Sequence, residues 1–199
     1  GHFLIEAKGL GFAVPDTMLT SWVRHQRIAA QSWDGSSDEQ RLDQAYRLYT
    51  LALAREPEIG AMNRLREHEQ LPPVARWMLA AAYKLAGLQQ AADALTRGLG
   101  TDVQTMSEWP QIFGSQLRDQ AMMLSALVTL QRDDQAEALA DEISRALRSD
   151  AWYSTQSTAF ALMAMAHYIG LEQFAPYTFE YAIDGRASSV SVDAPMYRT

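Results

Sequence analysis

The chain contains no cysteine. That excludes internal disulfides, thiolate zinc sites and a thiol nucleophile, but it does not fix the compartment. No run reaches the roughly 18 consecutive apolar residues that a membrane-crossing helix needs. Lys and Arg number 17 against 24 Asp and Glu, for a formal net charge of −7 and a sequence pI near 5.0. The basic residues do not cluster, which argues against nucleic acid as a partner. Glycine (11) and proline (7) are sparse and charged residues make up 21%, so bulk disorder is not expected. The opening Gly1-His2-Phe3-Leu4-Ile5-Glu6-Ala7-Lys8 has no basic region followed by a small-residue cleavage site. It reads as the inside of a helix, and the sequence is expected to be cut from a longer chain.

What is present is a core. Of the 199 residues, 48% are hydrophobic, enough for one substantial domain. Helical periodicity dominates. Val14-Pro15-Asp16 opens a run to Trp33 whose Met18, Leu19, Trp22, Val23, Gln26, Ala29 and Ala30 form one face, and Gly35-Ser36-Ser37-Asp38 breaks it. Glu39 to Glu56 follows, with a stripe of Leu42, Ala45, Tyr46, Tyr49, Leu53 and Ala54, stopped by Pro57. Further helices are expected over Ile59–Glu69, Leu71–Ala86, Leu88–Leu99, Gln116–Gln131, Asp134–Leu147 and Tyr153–Ile169, with Gly87 and Gly170 as stops. Gly100 to Gly114, containing Trp109-Pro110, reads as an irregular connection. The pattern then changes to period two: Thr178–Ile183 and Ser189–Val192 alternate on either side of Asp184-Gly185, a hairpin turn signal.

Four helix pairs resemble one another, each an Ala/Leu-rich helix followed by a charged amphipathic one. Their first members centre on Leu48, Leu79, Leu124 and Leu162, spaced 31, 45 and 38 residues apart. A helical-repeat solenoid and an α/α toroid both suit this pattern. The tetratricopeptide period is fixed at roughly 34 residues, so uneven spacing favours the toroid.

Three segments resemble the bacterial alpha-2-macroglobulin family: His2–Lys8 with Gly11-Phe12-Ala13-Val14-Pro15; Phe113-Gly114-Ser115-Gln116-Leu117-Arg118-Asp119-Gln120-Ala121; and Trp152-Tyr153-Ser154-Thr155-Gln156-Ser157-Thr158. The resemblance implies the later part of a thioester-type, complement-like domain. That is an all-α, incomplete α/α toroid over 1–172, then a β-hairpin return segment over 173–199 leading into a β-sandwich domain. It also implies a place in a large periplasmic or cell-envelope protease trap (an endopeptidase inhibitor). The partners implied are other domains of the same parent chain and the target proteases, with no membrane contact by this segment. The Cys-x-Glu-Gln thioester of covalently trapping members lies upstream of the first matching segment, and a chain without cysteine cannot hold it.

No residue is therefore assigned as catalytic, cofactor-binding or metal-binding, and the chain is read as a non-enzyme. Several residues invite a sharper reading. Complement-type domains relay acyl transfer through a histidine, but in the family that histidine precedes the helix matched by His2 to Ala7, so the role does not carry over to His2. His25, His68 and His167 show no metal-ligand spacing. Ser154-Thr155-Gln156 reads as a helix cap. Arg118-Asp119 reads as a tie between helices, or as a polar patch in the toroid centre. Asp133-Asp134 and Asp141-Glu142 could suggest a glycan-active toroid enzyme, but neighbours on a helix diverge by about 100°. They fit an N-terminal turn and a solvated face. Trp22, Trp33 and Trp77 fall on apolar stripes, and Met122, Met123, Met163 and Met165 read as packing filler. Without upstream helices, one inner face should stay exposed.

Overall fold

In a computed structural model the chain is described over residues 1–35, 37–68, 70–101, 116–170, 177–183 and 186–192. Among these, nine helices precede a two-stranded sheet: α1 (His2–Gly9), α2 (Asp16–Gln31), α3 (Asp38–Leu53), α4 (Ile59–Arg66), α5 (Pro73–Leu85), α6 (Gln89–Thr96), α7 (Gln116–Leu130), α8 (Asp133–Leu147), α9 (Thr155–Tyr168), β1 (Tyr177–Ile183) and β2 (Arg186–Val192). The irregular connection expected at Gly100–Gly114 and the Asp184-Gly185 turn lie outside the described residues, apart from Gly100 and Thr101.

Alternate helices form the inside. α5 packs between α3 and α7, and α7 packs against α9, while α4, α6 and α8 each lie against the helix they follow. The inner members carry the small residues: Ala75, Ala80, Ala81 and Ala82 of α5 and Ala121 and Ala126 of α7 are fully buried. Without bulky side chains between them, neighbouring helix axes come close, and Trp77, Tyr83, Met123, Leu124 and Leu127 fill the spaces that remain. Each such large apolar side chain contributes about 1.5–3 kcal/mol by leaving water. α8 buries only Ala136, Leu139, Ala140 and Ile143, one stripe on an otherwise charged helix.

Four of the odd-numbered helices end alike. After α1, α3, α5 and α7, a residue at positive φ reverses the chain: Gly11 (82°), Arg55 (63°), Gly87 (79°) and Gln131 (58°). In each case the next amide donates back across the turn, as in Leu88 N to Tyr83 O at 2.9 Å and Arg132 N to Leu127 O at 3.0 Å. This is the Schellman closure, which satisfies carbonyls the helix end leaves free. It returns the chain within a few residues, and after α3, α5 and α7 the following helix lies against the one just completed.

Side chains close several helix ends, among them the cap expected at Ser154. Ser37 accepts from Gln40 N while the Gln40 side chain accepts from Ser37 N, a capping box at the head of α3. Ser154 caps α9 by accepting from Ser157 N at 3.1 Å. Gln44 and Arg64 both donate to Ala30 O, at 3.0 and 3.2 Å, which closes the carbonyl end of α2 from α3 and α4. The hairpin is antiparallel, registered from Tyr177 opposite Val192 to Ile183 opposite Arg186. No described helix is long and apolar enough to cross a membrane.

Candidate functional site

Among the described residues, a concentrated group of titratable side chains lies where the first and last helices meet. His2 and Glu6 sit one turn apart on α1, so both face the same way. The Nδ1 of His2 is 2.7 Å from the Tyr46 hydroxyl on α3, and its Nε2 is 3.2 Å from Glu6 Oε1. The other oxygen of Glu6, Oε2, is 3.1 Å from Nε2 of His167 on α9. Below, the His2 ring lies 5.8 Å from the ring of Tyr46 and 6.0 Å from that of Tyr49, and Tyr46 meets Phe160 of α9 edge-on at 5.5 Å. The last inner helix thus reaches back to α3.

The electrostatics follow from these contacts. Hydrogen bonds from His167 and then His2 outweigh partial burial and hold the Glu6 carboxyl at about 2. Burial, reinforced by Tyr49 and the Glu6 charge, pushes the Tyr46 phenol well above its ordinary range. Tyr46 is therefore a permanent O–H, and Glu6 a carboxylate at any ordinary pH. Both nitrogens of His2 are engaged, by Tyr46 and by Glu6, so its ring is positioned as a strut.

The other residues singled out from the sequence lie apart from this group. His25 is exposed on α2, and His68 meets Trp33 edge-on at 5.4 Å. Arg118 and Asp119 bond each other, with Arg118 Nε 2.9 Å from Asp119 Oδ1, so that contact runs along α7. Asp133 and Asp134 occupy the first turn of α8, and Glu142 accepts from Gln120 Nε2 of α7 at 2.8 Å. Trp77 is buried, with its Nε1 donating to Gly100 O at 3.1 Å, whereas Trp22 and Trp33 are half-buried. Met122 and Met123 are buried and Met163 and Met165 half-buried.

Among the described residues, no group of three or more His, Cys, Asp or Glu is placed to hold a metal ion. An open hollow of about 130 Å³ is lined by Trp33, Asp34, Gly35, Gln40, Asp43 and Arg47. It is shallow, and its carboxylates are solvent-exposed. The Glu6 group is not visible as a unit in the sequence, because the hydrogen bonds that build it span up to 161 residues. Only the i, i+4 pairing of His2 with Glu6 could have hinted at it.

No protein-family profile and no curated protein matches the chain. Solved structures do. The native conformation of Escherichia coli alpha-2-macroglobulin superposes with a TM-score of 0.67 at 21% identity, over 97% of this chain and 13% of that one. Salmonella alpha-2-macroglobulin reacted with methylamine gives 0.69 at 22% identity, over 97% and 13%. The E. coli protein activated by porcine elastase gives 0.64 at 21%, over 96% and 18%. The chain therefore has the fold of one stretch of the bacterial alpha-2-macroglobulins, and it spans between 13% and 18% of the length of these chains.

Proposed function

We propose that this chain is a structural and interaction domain of a large bacterial alpha-2-macroglobulin-like protease trap, without catalysis of its own. The observation that supports this most is the superposition of nearly the whole chain, helices and hairpin together, on one stretch of such proteins. The chemistry of the chain agrees. There is no cysteine to form a thioester, and the most polar cluster is spent on joining helices. In this reading the segment is the later part of the thioester-type domain, residues 1–172 form the helical unit, and 173–199 return toward a β-sandwich domain. Its partners are the other domains of the parent and, through the parent, the captured proteases. The setting is the periplasm or cell envelope.

A solenoid binding module is the second reading. An open stack keeps units several repeats apart from touching. Here α9 returns to α3 through Phe160 and Tyr46, which favours a ring.

The test uses the parent protein. Incubation with trypsin or elastase should shift its native-gel mobility. Captured protease should lose activity on a large protein substrate and keep it on a small peptide. Methylamine incorporation would report a thioester elsewhere in the parent. A parent that is merely digested, with no mobility shift and no protection of the large substrate, overturns the trap reading.

A further inference from the structure

One side of α9 breaks the pattern set by the other described helices. Of the nine, α9 alone carries no Asp, Glu, Lys or Arg. Its Phe160 and His167 meet α3 and α1, and Ser157, Ala161 and Ala164 are buried in a helix packed closely on α7. At about 100° per residue, Ala159, Leu162, Ala166 and Ile169 line the opposite side. Leu162 is 58% exposed there and Ile169 59%. The outer helix α8 shows water Asp133, Asp134, Glu137 and Asp141 instead. A helix that is apolar on both sides belongs in an interior.

We infer that this side of α9 seats a further helix of the parent chain, Ala/Leu-rich and uncharged where it touches, so that α9 is packed between two helices as α5 and α7 are. The inference rests on the trap reading proposed above, because it needs a parent. The face itself selects the occupant. Ala159 and Ala166 leave hollows two turns apart, and Leu162 and Ile169 project beside them, so another helix comes close only with small side chains opposite the projecting ones. A charged side chain there would be buried against apolar groups without a partner.

Size decides between a helix of the same chain and a second copy. The 14 residues of α9 make a face about 21 Å long and about 10 Å wide. A stable interface between separate proteins buries roughly 800 Å² on each partner, well beyond one such face. A helix carried by the same chain is held nearby through its connections and gives up far less freedom on docking. The chain spans 13% to 18% of the bacterial alpha-2-macroglobulins it superposes on, so a parent of that kind has ample chain to supply the helix.

The test compares the 199-residue chain with its parent by hydroxyl-radical footprinting, which needs no substitution. In the chain, Leu162 and Ile169 should oxidise readily while the buried Leu124 does not. In the parent, both should fall to the level of Leu124. Photo-leucine in place of leucine then identifies the neighbour: on irradiation of the parent, Leu162 should link to an Ala/Leu-rich helical segment of the same molecule. Leu162→Glu gives a second readout. It should leave the denaturant midpoint of the chain nearly unchanged and lower that of the parent. Continued oxidation of Leu162 in the parent, a link to a strand or to a second copy, or an equal midpoint change in both contexts overturns the inference. A parent that captures protease while Leu162 stays reactive removes this helix and leaves the trap reading standing. A parent that shields Leu162 without capturing protease does the reverse.

Discussion

Glu6 has one carboxylate oxygen against each of two imidazoles and a side chain 20% exposed. Its folded-state value of about 2 lies below the ordinary 4.5, so the fold favours the ionised form. The stability this supplies is complete above about pH 4.5, fades as pH falls, and is gone below about 2. Discounted for partial exposure, it is on the order of 2 kcal/mol. Glu6→Gln should therefore lower the urea midpoint at neutral pH and flatten the loss of stability between pH 5 and 3, roughly the span over which the carboxyl titrates in the unfolded chain. An equally steep loss in the variant would place the acid sensitivity elsewhere. Leu124, fully buried in the helix that touches α5, α8 and α9, tests the core in the same way. Leu124→Ala should cost about 3 kcal/mol, read from denaturant unfolding, because a rigid small-residue layer collapses poorly into a cavity. A cost below about 1 kcal/mol would mean that the inner layer is loosely packed.

At the scale of elements, the ends of the odd-numbered helices offer a controlled comparison. Gly11 and Gly87 occupy the left-handed turn position after α1 and α5, while Arg55 and Gln131 occupy it after α3 and α7. A side chain there costs roughly 1 kcal/mol against glycine, partly offset by the larger unfolded-state entropy of glycine. Arg55→Gly and Gln131→Gly should each stabilise by about 0.5 kcal/mol, and Gly87→Ala should destabilise by about 1 kcal/mol. Chemical denaturation of the three variants checks the signs, and opposite signs would mean that the exposed Arg55 or Gln131 side chain makes a compensating contact. The same turns show what a reader of the sequence can and cannot see. Gly87 and Gly170 announce helix ends by residue type, and Pro57 and Pro72-Pro73 bracket α4, so helix number and order are legible. Arg55 and Gln131 carry no such signal, since neither favours positive φ, and only tertiary packing of the helix that follows enforces the turn. The Glu6 group was illegible for a related reason: hydrogen bonds across 44 and 161 residues leave no periodic trace. The α2 stripe was legible in pattern but not in depth. Of its expected face only Ala30 is buried, and Met18 stands 52% exposed, because α2 meets the body mainly through α3 and the polar contacts of Arg27, Gln31 and Arg64.

For the whole molecule, the telling contrast is between the helical body and the hairpin. Helices α2 to α9 share one continuous core from Ala30 to Ala164. The described strands pair only with each other, and Glu180, Tyr181, Ser188 and Ser189 are exposed. A two-stranded hairpin is marginal in water unless a third strand or a packing face supports it. The body should therefore not depend on it, and a chain ended at Gly170 should unfold with a denaturant midpoint and slope close to those of the full chain. A large loss in that truncation would show that the strands complete the helical core, and would move the boundary expected near residue 172. In the 199-residue chain the amides of β1 and β2 should exchange with solvent far faster than those of α5 and α7, whose opening requires breaking the shared core. If the hairpin is the return into a β domain, the same amides should become protected in the parent, because a sheet edge that finds its neighbour closes its free N–H groups. Equal exchange of the strands in both contexts would leave the hairpin as an independent appendage and remove the structural argument for a β-sandwich beside it.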